Sequence, residues 1–289
     1  SNHVVSFVEA SDGTPWAATT SGIAWYNGFR WIQIADSITK NREPVFLTAA
    51  NNGGFLTIIG GKLFRGSENG LLVIELRLNG KLIEPTNIVA EGNGRIIVGS
   101  GLNAYSYRNS KLDLMALKLN VSPMPASYAT KSGAVWLNSH DGLFRMEGDR
   151  LSYRHKASRS ILRISCLVEN EHGDGMLSVQ HPPEDRGIWE WKGDGPITFN
   201  RGEGGEAAFA MDISSSGEAL AVYESGNVRA KINNMWYSLT NVPPQLRNIT
   251  FLKFRRNGDL WVGSERGLFL CRRALNRWEY WRHPFPSLK

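Results

Sequence analysis

One constraint governs this chain before any other: a turn glycine that returns at an almost constant interval. Gly13, Gly53, Gly94, Gly133, Gly173, Gly217 and Gly258 are spaced by 40, 41, 39, 40, 44 and 41 residues, so the 289 residues contain seven copies of one unit. In four copies a second glycine follows nine residues later, at Gly22, Gly142, Gly226 and Gly267. Two copies deviate mildly, with Gly61 and Gly101, and one strongly, with Gly187 fourteen residues on. A repeat near 40 residues means stacked supersecondary units rather than one irregular fold.

The text between the glycines is β-strand text. "NGDLWVGSERGLFL" (Asn257 to Leu270) joins a tight-turn dipeptide, an apolar run with Trp261, a second turn and a second apolar run, which is a hairpin signature. "DGTPWAATTSGIAWY" and "SGAVWLNSHDGLFRM" repeat it with Trp16 and Trp136 in the place of Trp261. A β-rich run precedes each first turn ("VVSFVEAS", "ITFLKFRR") and another closes the unit ("FRWIQIA", "RWEYWRH"), which makes four strands, A to D. Four-stranded units of this length are the blades of a β-propeller. The expectation is an all-β, seven-bladed propeller of antiparallel sheets in a single domain over 1–289, with blades at about 4–37, 44–78, 85–119, 126–156, 161–200, 207–240 and 248–283. Each terminal blade has four strands of its own, so closure should rest on face packing between blades 1 and 7. The three tryptophans should be inter-blade core.

Composition is consistent with an extended β core, at 42% hydrophobic residues and 30 glycines. No window approaches the roughly 18 apolar residues of a membrane span, so this segment is expected to make no membrane contact itself. The strands start and stop close to the chain ends, which suggests a domain cut from something longer. Cys166 and Cys271 fall in non-adjacent units and are expected to be free thiols.

The repeated text resembles the two-component regulator propeller repeat. Its pattern is a turn Asp/Asn-Gly, then Leu-Trp-Val-Gly-Thr, then Gly-Leu-Xaa-Arg-Tyr. Units 1, 4 and 7 match well, units 3 and 6 in part, and units 2 and 5 poorly. The motif identifies a blade rather than an active site. What the resemblance implies is context: the periplasmic or extracellular sensor region of a membrane-anchored bacterial signalling protein, with an output domain outside this chain and, in several members, carbohydrate ligands.

Strand order puts the tight A–B turns and the C–D turns on one face, and the longer B–C and D–A connections on the other. Ligand-contacting residues gather on loops held by a rigid scaffold, so the site is expected on the B–C/D–A face. The outlier is "QHPPEDRG", Gln180 to Gly187, where unit 5 inserts about five residues and gathers His181, Glu184, Asp185 and Arg186. It reads either as a solvated insertion or as a flap stiffened by Pro182-Pro183. Neighbouring loops add Arg42, His140, Asp141, Arg159, Arg247, Glu265 and Arg266 as candidate ligand-binding residues.

Lysine and arginine exceed aspartate and glutamate by 33 to 27, a formal +6, which favours an anionic small molecule or oligosaccharide as partner. The positive residues are spread through every unit without a recognition motif, so nucleic acid is not an expected partner. No catalytic residue, metal ligand or cofactor is nominated, because nucleophile elbow, phosphate loop and spaced metal cluster are all missing. His140, Asp141 and His181 could assemble a metal site from adjacent blades, and some propellers are metal-dependent lyases, so that reading stays open beside a protein-interaction scaffold.

Overall fold

In the computed structural model, residues 4–19, 22–34, 46–51, 53–118, 127–139, 142–155, 162–200, 205–240, 242, 248–265, 267–275 and 277–281 are described. They form seven four-stranded antiparallel sheets, each with its strands hydrogen-bonded in chain order, plus a two-stranded hairpin, Arg77–Leu78 with Lys81–Leu82, between blades 2 and 3. The fold is a seven-bladed β-propeller. The A strands, Val4–Glu9, Leu47–Ala49, Asn87–Ala90, Ser127–Ala129, Arg163–Glu169, Ala208–Ile213 and Ile249–Phe254, pack against one another around the axis.

The repeating glycine has a conformational reason. At the third residue of every A–B turn the backbone is left-handed, with φ between 82° and 92° from Gly13 to Gly258. Only glycine enters that region without a Cβ penalty. Its amide closes the turn, as in Gly13 N–H to the Ala10 carbonyl at 2.9 Å and Gly258 N–H to the Arg255 carbonyl at 3.0 Å. The second glycine answers to space as well as to φ, since a Cβ on Gly142 would lie 2.4 Å from the His155 carbonyl oxygen.

Side chains on each sheet face fill the wedge against the next blade. Trp136 and Trp261 are completely buried and Trp16 is 3% exposed, as the hairpin reading expects. Trp136 leaves blade 4 to pack on Ile164, Leu177 and Trp191 of blade 5. Trp261 sits among Phe7, Tyr26, Trp31 and Trp281, with ring centroids 5.4 to 5.8 Å away.

Among the described residues no strand is shared between the terminal blades, and side chains close the ring. Phe7 of blade 1 stacks on Phe251 of blade 7 at 4.9 Å, Thr250 Oγ1 donates to the Val4 carbonyl at 3.3 Å, and Arg255 Nε donates to Glu9 at 3.3 Å. Polar links also run from turn to turn on the A–B face. Ser11 Oγ donates to the Asn51 carbonyl, Asn51 Nδ2 to the Gly92 carbonyl, Gly92 N–H to the Gly133 carbonyl, and Lys131 N–H to the Glu169 carbonyl. Both cysteines are free, and burial pushes the Cys166 thiol up to about 12.

Candidate functional site

The Gln180 to Gly187 loop is a folded structure rather than a free flap. The B strand of blade 5 runs on to His181, Pro183–Asp185 make a single 3-10 turn, and the C strand begins at Gly187. Proline at the start of such a turn costs nothing, because its missing N–H would have no partner there. Three side-chain bonds fix the loop. Trp189 Nε1 donates to the Asp185 carbonyl at 2.8 Å, Gln180 Nε2 donates to Glu224 Oε1 at 3.0 Å, and Arg186 Nη2 pairs with Glu224 Oε2. Glu224 belongs to the B–C loop of blade 6, so the insertion is tied across the blade boundary.

That arrangement sorts the loop's candidates. His181 and Glu184 face solvent, whereas Asp185 is turned inward at 7% exposure. Arg186 Nε is buried and has no acceptor among the described residues. On the blade 4 side, His155 packs on the Trp189 ring at 4.8 Å, and burial lowers its pKa from the ordinary 6.5, with the Asp185 carboxylate opposing. Glu265 is exposed and accepts from Asn248 Nδ2 at 2.8 Å. Arg42, His140, Asp141, Arg159, Arg247 and Arg266 lie outside the described residues. Among the described residues no group of three His, Cys, Asp or Glu side chains could hold a metal ion. Glu224, Trp189 and His155, which set the geometry of this surface, were not signalled by the sequence, since each acts from a different strand or blade.

A second feature lies at the opposite end of the axis. A cavity of about 540 Å³ is walled by the A strands and by the A–B turns, from Phe7 to Ser11, Phe46 to Asn51, Ile88 to Ala90 with Gly92, Tyr128 to Gly133, and Lys253, Phe254 and Arg256. Its far wall is apolar and its mouth is charged. Lys131 reaches from blade 4 past blade 5 to blade 6, where its Nζ donates to Asp212 Oδ2 at 3.0 Å and to the Ile213 carbonyl. Asp212 also accepts from the Phe254 amide, so this buried carboxylate is satisfied. Burial holds the Lys131 pKa below its ordinary value even though Asp212 pulls the other way, and the positive charge of Lys253 adds to the lowering. The glycine register could have revealed this set, because Lys131 and Arg256 both stand two residues before their turn glycine.

No family model matches the chain, and no curated protein matches it. Solved structures share its fold. Catalytically inactive virginiamycin B lyase from Staphylococcus aureus, with quinupristin, is 14% identical at a TM-score of 0.66, over 91% of this chain and 92% of that one. The extracellular domain described as that of a hybrid two component system from B. thetaiotaomicron is 16% identical at 0.61, over 93% of this chain and 38% of that one. YCF48 from Cyanidioschyzon merolae is 14% identical at 0.64, over 93% and 95%. At such identities the likeness is one of fold, which hosts many functions.

Proposed function

We propose that this chain is the ligand-sensing propeller module of an extracytoplasmic, membrane-anchored bacterial signalling protein of the two-component type. It takes a carbohydrate or small anionic ligand on the B–C/D–A face, and the output domain lies outside this segment. The observation that carries the reading is the pinned Gln180 to Gly187 loop, which presents His181, Glu184 and part of the Arg186 guanidinium to solvent. A loop already fixed loses little entropy on binding, and an accessible guanidinium N–H favours a ligand oxygen. The fold likeness to the extracellular domain of a two component system, of which this chain spans 38%, supports the same context.

A second reading, metal-dependent lyase, draws on the fold likeness to virginiamycin B lyase. Calorimetric titration of the chain with neutral and uronate-containing oligosaccharides separates the two. Binding of one of these sugars that is lost on deletion of His181 to Arg186, weakened by Arg186→Gln and unchanged by a chelator is expected. Binding that ignores both variants, or that a chelator abolishes, overturns the proposal.

A further inference from the structure

The A–B mouth of the axial cavity has a charge arrangement that the fold does not use. Around it stand Glu9, Lys131, Glu171, Lys253 and Arg256. Glu9 is engaged by Arg255, and the Lys131 ammonium spends its donors on Asp212 and the Ile213 carbonyl. Neither Lys253 nor Arg256 has a carboxylate within ion-pair distance among the described residues. The carboxylate left near them, Glu171, is exposed at the rim. Two cations thus stand over an opening of ligand size, where pockets of roughly 300 to 1,000 Å³ are typical. Lys253 is half-buried, and a charge in such a setting interacts more strongly than one in bulk water.

We propose that this mouth is a second binding site, separate from the B–C/D–A face, and that it takes a small oxyanion between Lys253 and Arg256. Arg256 offers a planar fork that matches the two oxygens of a carboxylate or sulfate, and Lys253 offers a compact ammonium from inside the cavity. Phe7 and Phe46, both partly exposed, supply an apolar wall for the short carbon skeleton such a group carries.

The test is calorimetric titration of the chain with sodium succinate and with sodium sulfate, with succinamide as the uncharged control. Saturable binding of succinate, sulfate or both is expected, a response to one alone marking the carboxylate or the sulfate as the recognised group. The double substitution Lys253→Gln with Arg256→Gln should weaken it by about tenfold or more, the scale of a lost charge-assisted hydrogen bond. Lys81→Gln, on the remote hairpin, should leave it unchanged. If the double variant does not fold, Arg256→Gln alone, at an exposed position, serves with an expected loss of several-fold. Absence of saturable binding, equal binding of succinamide, equal loss in Lys81→Gln, or loss on deletion of His181 to Arg186 with retention in the double variant overturns the proposal.

Discussion

Glu169 shows how much one side chain can organise. Buried at the end of the A strand of blade 5, it accepts from Trp136 Nε1 at 2.9 Å and from Arg145 Nε and Nη2 at 3.1 Å each, and Ser132 Oγ also bonds to it. The corresponding position of blade 2 is Ala49, and there the indole N–H of Trp16 is buried without a partner among the described residues. Glu169→Ala would leave the buried Trp136 indole N–H unpaired and Arg145 held by Glu147 alone, so a loss of about 3 kcal/mol is expected from urea unfolding. Trp261→Ala, which empties a core site, should cost about 3 to 5 kcal/mol. His155 is a pH-dependent element at the same scale. Its pKa is lowered in the fold, so the unfolded chain binds the extra proton first. Its contribution is complete above the unfolded value near 6.5 and is lost as the pH falls from there through the lowered folded value. A plot of Tm against pH should be flatter over that interval in His155→Phe.

At the scale of the element, the blades were legible in the sequence and the loops were not. A blade is specified locally: a glycine forced to positive φ, a large apolar residue three residues later, tryptophan in blades 1, 4 and 7, and apolar runs on either side. Among the described residues the strands run from Val4 to Trp281. The Gln180 to Gly187 insertion is visible as an excess of residues, but its conformation depends on Glu224, 44 residues from Gln180 and 38 from Arg186. No local pattern encodes that tie. The cations of the A–B mouth carry no such signal for a different reason, since loop length points to the B–C/D–A face and the A–B turns are short. Because the Arg186–Glu224 pair is half-exposed, Glu224→Ala should cost under about 1 kcal/mol in global stability. The same substitution should nevertheless speed hydrogen exchange of the Asp185 and Arg186 amides, which is the measurement that separates a tied loop from a merely ordered one.

For the molecule as a whole, the open question of a ring without a shared strand is what keeps its seam shut. Phe7 packed on Phe251 and Trp261, and Tyr26 and Trp31 packed on Trp261, close it, with the Thr250 and Arg255 bonds alongside. Phe7→Ala should therefore cost about 3 kcal/mol, and the dependence on denaturant should keep its slope if the ring still unfolds as one body. A shallower slope would mean that the seam opens ahead of the rest. The Lys131 side chain has a consequence at this scale too. By leaving blade 4 and ending on blade 6, it runs as a chord across one sector of the circular opening and does not follow the rim. A chord divides an aperture unequally, so the wider part is bordered by blades 7, 1, 2 and 3, and the seven-fold look of the fold gives way to a doorway with a definite side.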